Sequence, residues 1–280
     1  MSHDTGAGQG GMPLGKTTAY TDQYAPQLLY PLSRGGNRSS LALEKGLWPW
    51  FGADVWQAYE LSWLRPGGLP RVAMARFTVP ADSPFLVESK SLKLYLNSLS
   101  GTEFADEESL RQCLIRDLSA VTGASVGVTL MSVDAGESLL ARPPEVKLID
   151  NQDLEVAGGP TDITALRCDT AAEPVTERLC SHLLRSLCPV TGQPDWGSLV
   201  VEYHGQPLDH AGLLRYLVGF RSQQDFHEHC VERIFMALMA SCRPQWLRVR
   251  AYYSRRGGVD INPWRSTDDQ PPPPVRLKRQ

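Results

Sequence analysis

The stretch WQAYELSWLRPGGLPRVAMARFTV, running from Trp56 to Val79, decides how the chain is read. Its two arms, Trp56 to Arg65 and Arg71 to Val79, alternate and are rich in strand-forming residues, and Pro66-Gly67-Gly68 between them is a turn signal. This predicts a β-hairpin. Downstream the period changes: from Glu107 to Gly123 the apolar residues fall at Leu110, Cys113, Leu114, Leu118 and Val121, and the run stops at a glycine. That spacing predicts an amphipathic helix. SVGVTLMSV (Ser125 to Val133) returns to a strand pattern.

The same order recurs in the second half. GSLVVEYHG (Gly197 to Gly205) reads as a strand, and LDHAGLLRYLVGF (Leu208 to Phe220) and DFHEHCVERIFMALMASC (Asp225 to Cys242) read as helices. QWLRVRAYYS (Gln245 to Ser254) and GVDINPW (Gly258 to Trp264) form a closing strand pair around Arg255-Arg256-Gly257-Gly258. Between the halves, Ala141 to Ala172 mixes Pro-Pro, Gly-Gly-Pro and acidic residues, as a connector with one short strand would. The chain thus divides into an extended arm (1–45), a first module (46–150), a connector (151–175), a second module (176–268) and a proline-rich, mobile tail (269–280).

With 280 residues, 42% hydrophobic and 21% charged, the chain is long enough for two globular domains. A net charge of −3 provides no basic field to draw nucleic acid or an acidic membrane surface. No signal-peptide pattern opens the sequence and no apolar run is long enough to cross a bilayer, so a cytoplasmic location is expected. Six cysteines without a Cys-x-x-Cys pair argue against a zinc ribbon and suit reduced thiols.

One motif is set aside: Gly10 to Thr17 matches the phosphate-loop pattern, but SHDTGAGQ before it and TTAYTDQYAP after it are not the strand and helix that loop requires. Cys188, in SLCPVTGQPDWGS (Ser186 to Ser198), stands at the edge of a turn broken by Pro189, Gly192 and Pro194. It is either a small buried hydrophobe or a nucleophile presented on a turn. An ionised Asp195 beside it would oppose the thiolate. A carboxyl whose pKa burial raises could instead deliver a proton, and the bland alternative is a turn aspartate bonded to backbone amides. Asp225 and Glu228 have capping-box spacing; the other reading makes Glu228 the acceptor for the paired N–H groups of a heterocycle, with His227 beside it. His227 and Cys230 lack further ligands at convincing spacing, so no metal is expected. Ser89 and Lys90 at a helix entrance, and Arg255-Arg256-Gly257-Gly258, are candidate phosphate contacts, and no GxGxxG follows a strand.

Taken together, VESKSLKLYLNS (Val87 to Ser98), SLCPVTGQPDWGS, FHEHCVERIF (Phe226 to Phe235) and RRGGVDINP (Arg255 to Pro263) resemble the QueF family, as do PLGKTTAY and YAPQLLYPL near the N-terminus. The resemblance implies an α+β fold of two tandem tunnelling-fold (T-fold) modules, each a four-stranded antiparallel sheet with a helical pair on one face. It also implies NADPH-dependent reduction of the nitrile of 7-cyano-7-deazaguanine to an aminomethyl group, by a homodimer, in the pathway to the tRNA base queuosine and without tRNA binding. Cys188 would form a covalent thioimide and Asp195 would protonate the nitrogen. Val87, Glu88, Ser89, His227 and Glu228 would hold the substrate, and Ser89, Lys90, Arg256 and Gly257 the NADPH. The alternatives are a cyclohydrolase-like enzyme of the same fold and a non-catalytic purine- or pterin-binding module.

Overall fold

The computed structural model describes residues 20–41, 48–134, 145–155 and 159–280; the phosphate-loop match at 10–17 and parts of the arm lie outside them. The predicted hairpin is β2 (Phe51–Leu64) and β3 (Pro70–Pro80), paired from Ala53↔Pro80 to Leu64↔Pro70. Its turn puts Gly67 and Gly68 at φ of 91° and 81°, a conformation in which a Cβ would be strained. A bulge against β3 lies between Ala58 and Leu61, and on the other side of β2 the Tyr59 amide donates to the Gly258 carbonyl (2.9 Å).

The other elements follow in chain order. In the first half, β1 (Pro31–Ser33) and α1 (Arg34–Arg38) precede the hairpin, and β4 (Phe85–Val87), α2 (Ser89–Ser98), α3 (Glu107–Thr122) and β5 (Gly127–Met131) follow it. The second half has β6 (Lys147–Leu148), β7 (Val175–Ser181), β8 (Arg185–Leu187), β9 (Pro194–Gly205), α4 (His210–Val218), α5 (His227–Cys242), β10 (Trp246–Tyr253) and β11 (Val259–Ser266). The helix expected from 107 to 123 starts at an Asp106 cap and ends at Gly123, φ 70°.

One sheet joins both halves in the order β5-β3-β2-β11-β10-β9-β7-β6, with β8 paired to the start of β9. The last strand thereby pairs with the first of the hairpin, from Val259↔Ala58 to Ser266↔Phe51. The resemblance implied four strands in each module. The first half instead gives three to this sheet, because β4 turns away after Pro84 and pairs with β1, Pro31↔Val87 to Ser33↔Phe85.

Both helical pairs cover the same face, over two separate cores. Leu92, Tyr95, Leu110 and Leu114 pack on Trp56, Trp63 and Phe77, while Val231, Ile234 and Phe235 pack on Leu199, Val201 and Val249. The alternation that buries these residues places Asp54 and Arg265 on the same face, at the seam between the cores. There Arg265 pairs with Asp54 (2.9 Å) and with Glu232 of α5 (2.6 Å). Arg38 also binds Glu232 (2.6 Å), and Arg34 binds Asp54. The segment expected to be an unpacked arm therefore drives two arginines into the interior, each no more than 3% exposed.

Burial would raise the pKa of Glu232, yet Arg265, His229 and Arg38 outweigh it and hold the carboxyl well below its usual range. Its stabilising effect is thus complete above the unfolded carboxylate pKa and is lost only as pH falls through the depressed folded value. Glu232→Ala leaves the buried Arg38 without its carboxylate and Arg265 with Asp54 alone, and is expected to cost about 3–5 kcal/mol in urea unfolding at neutral pH. A loss below about 1 kcal/mol would place the pair among weak surface bridges instead.

The tail is packed rather than mobile. Val275 is buried against Cys180, Val200 and Tyr252 on the outer face of the sheet. Arg250 donates to the Pro273 carbonyl (2.7 Å), and Gln280 donates to Asn262 (2.6 Å).

Candidate active site

The turn that carries Cys188 is a hairpin loop. β8 pairs with β9 as Ser186↔Asp195 and Leu187↔Pro194, and Cys188 N–H donates to the Gln193 carbonyl (2.8 Å). Gly192 supplies the left-handed bend at φ 68°. Cross-strand pairing thus brings Asp195 back beside Cys188 despite the seven-residue separation, on the face shared with Ser186. Two backbone bonds, Leu187 N–H to Gln223 and Asp225 N–H to Leu187, lash the loop to the entrance of α5. His227 and Glu228 in the first turn of that helix are placed by the same contacts.

These groups open on one cavity of about 250 Å³. Its lining includes Cys188, Asp195, His227, Glu228 and Arg256 from the second half, and Val87, Ser89, Lys90 and Lys93 from the first. Cys188 is half-buried and is the cysteine that lines this cavity; Cys180 and Cys230 are 3% and 0% exposed.

Asp195 differs from the expectation of a raised pKa. Burial does push it upward, but His227 and Arg256 prevail and hold it below the usual carboxylate range. Arg256 donates directly to Oδ1, and His227 Nε2 lies 3.4 Å from Oδ2. Two cationic or donating neighbours thus keep the group anionic in this geometry. The His227 ring stacks on Tyr253, centroids 3.8 Å apart, and its buried Nε2 makes no aligned hydrogen bond. Its nearest polar neighbour is Asp195 Oδ2, so the ring is held against that carboxylate while His227 lines the cavity.

The capping-box reading fails. Phe226 is the N-cap of α5, and Asp225 accepts from the Phe226 amide while pairing with Arg233 at 3.3 Å. Glu228 instead lines the cavity, only 4% exposed, and burial with the nearby Asp54 raises its pKa to about 7.

Two expected residues stand apart from the cavity lining. Glu88 caps α2, its carboxylate accepting from the amides of Lys90 and Ser91, both at 2.8 Å. Gly257 lies in the tight turn between β10 and β11, where it and Gly258 take φ of 56° and 74°; a Cβ on Gly257 would sit 3.1 Å from Lys93 Cδ. Arg255 leaves the site altogether and stacks over Tyr59, 4.6 Å from its ring centre.

Lys93, which the sequence reading did not single out, also lines the cavity, and burial followed by the nearness of Arg256 lowers its pKa. The available signal was its place one helical turn after Ser89, which puts both on one face of α2. Trp56, Phe226 and Ile261 form apolar walls that the sequence reading assigned only to strand or helix. Among the described residues no group of three or more His, Cys, Asp or Glu side chains is arranged to hold a metal ion, and no helix is long and apolar enough to cross a membrane.

Comparisons with known proteins identify the family. Residues 20–130 match the family described as "Nitrile reductase, 7-cyano-7-deazaguanine-reductase N-term", and residues 194–272 match "QueF-like protein". A Bordetella pertussis protein named NADPH-dependent 7-cyano-7-deazaguanine reductase is 51% identical, over 96% of this chain and 98% of its own. Proteins of the same name from Azoarcus sp. and Burkholderia thailandensis are 50% and 49% identical, over 91% and 96% of this chain and 90% and 98% of theirs. With both halves matched by the family and half the residues shared over nearly the full length, the chain belongs to the QueF family of nitrile reductases.

Proposed function

We infer that this chain reduces the nitrile of 7-cyano-7-deazaguanine to an aminomethyl group with NADPH, the step that the family resemblance sets in the pathway to queuosine. One observation carries the assignment of roles: a half-buried thiol, a carboxylate held by two donors and a buried glutamate share one cavity with the start of α2.

Cys188 Sγ is the nucleophile for the nitrile carbon. As the S–C bond forms, one π bond of the nitrile becomes a C=N–H group, and the thiol proton ends on nitrogen. Asp195 starts as the carboxylate, so it takes that proton from sulfur and delivers it to nitrogen, a relay in place of the pre-protonated acid first expected. Glu228 accepts the paired N–H donors of the heterocycle, and His227, held to Asp195, lines the same cavity beside it.

Lys90, Lys93 and Arg256 suit the phosphates of NADPH, because they line one cavity and a half-buried cation such as Lys93, whose pKa burial and then Arg256 lower, gains from an anionic partner. NADPH when bound supplies hydride, twice for each nitrile reduced to an amine. Glu88 supports this site indirectly, by holding the first turn of α2 in place. A homodimer fits the open outer edge of β5, where among the described residues no further strand is paired.

Mixing protein with 7-cyano-7-deazaguanine and following the NADPH absorbance tests the assignment. Two NADPH should be consumed per nitrile, and NADH should give a kcat/KM at least about ten-fold lower, because the charge-assisted contacts to the extra phosphate are lost. Equal efficiency with both cofactors would remove the cationic set from the cofactor site.

A further inference from the structure

The buried seam beside the cavity holds an imbalance of charge. Arg34, Arg38 and Arg265 are three guanidiniums, whereas Asp54 and Glu232 are two carboxylates, and all five are at most 3% exposed. An unneutralised buried charge is costly, so a further anion is needed nearby. Glu228, 4% exposed, lies one helical turn before Glu232 and so on the same face of α5; Arg34, paired with Asp54, comes within 3.9 Å of Glu232, which sets that pair beside Glu228. The charged groups acting on it are Asp54 on β2, His227 on its own helix and Arg34 on α1; Arg38 on α1, Arg265 on β11 and His229 on α5 face it through Glu232, which all three contact.

Arg34 reaches this seam through firm anchors. Its Nε donates to Ser83 (3.1 Å), its amide donates to the Pro84 carbonyl (3.1 Å), and the β1 strand just before it pairs with Phe85 to Val87. The same short segment thus holds Val87 against the cavity from one half and reaches the acidic helix of the other.

We propose that Arg34 and Asp54 are positioning residues for substrate recognition, an opposed pair that sets the charge of Glu228 as it meets the heterocycle. Arg34 favours the carboxylate and Asp54 opposes it, while the N-terminal segment couples the two walls of the pocket. The proposal rests on the reading of Glu228 as the group that accepts the ligand's N–H donors. Neither residue lines the cavity, so both act through Glu228.

Binding of 7-cyano-7-deazaguanine, measured by titration calorimetry against pH in a Cys188→Ala background, separates the cases. Affinity should fall on the acid side as Glu228 takes up a proton. Arg34→Gln should move that fall to higher pH and Asp54→Asn to lower pH, each by about half to one unit, or about three- to ten-fold in affinity on the acid side. Arg34→Lys should restore the original position. Both substitutions break the same ion pair and should lower stability together, so opposite shifts cannot come from a merely structural role. Should Arg34→Gln not fold, the direction for the near-isosteric Asp54→Asn decides alone. If Glu228→Gln leaves affinity and its pH dependence unchanged, the reading of Glu228 itself fails. If Glu228→Gln flattens the acid fall while the two seam variants shift it the same way or not at all, only the role of the pair is overturned.

Discussion

Cys188→Ala is expected to reduce nitrile turnover to background and to abolish any covalent adduct, while non-covalent binding of 7-cyano-7-deazaguanine persists. Wild-type protein mixed with the nitrile and no NADPH should gain the full mass of one nitrile per chain, because addition of S–H across the triple bond expels nothing. The remaining cysteines are poor substitutes. Cys180 is buried, with a pKa pushed up to about 11, and Cys230 is fully enclosed in α5, where burial raises it further. A buried thiol with a raised pKa supplies almost no thiolate at neutral pH. Intact-mass measurement followed by peptide mapping decides the matter: an adduct in Cys188→Ala, or one located on Cys180 or Cys230, would sink the assignment of the nucleophile.

Asp195→Asn should leave affinity within a few-fold of wild type but slow adduct formation by roughly 10²- to 10⁴-fold, the usual size of a proton-transfer contribution. Asparagine has nearly the same shape and can still accept from Arg256 and approach His227, so the loop and the cavity wall should hold their places. What it lacks is a site that can accept the thiol proton and return it to nitrogen. The depressed pKa of Asp195 sharpens the test: in the wild type the carboxylate is already ionised at neutral pH, so its loss removes a base that is present from the start. Stopped-flow measurement of the adduct, in the absence of NADPH, isolates this step. A wild-type rate in Asp195→Asn would assign the proton transfer to another group, with His227 the nearest to it.

The elements built from local periodicity were legible in the chain itself. The Trp56 to Val79 hairpin, the Glu107 to Gly123 helix, the two second-half helices and the strands about Arg255 to Gly258 all formed where alternation, helical spacing and Gly-Gly turns placed them. The placement of Cys188, Asp195, His227 and Glu228 on one cavity was likewise anticipated, through motifs whose family is distinctive. Tertiary structure decided the charge states and several roles. Asp195 is held anionic by His227 and by Arg256, 61 residues away; Glu88, which the resemblance gave to the substrate, caps α2, and Glu228, for which spacing left a capping role open, is a cavity wall. The buried seam is the extreme case, since Arg38 meets Glu232 across 194 residues and Arg265 meets Asp54 across 211. Helical and strand patterns are short-range properties of the backbone, repeated every few residues, whereas the pKa of a buried group depends on which distant charges the fold brings within a few ångströms and on how much water it removes.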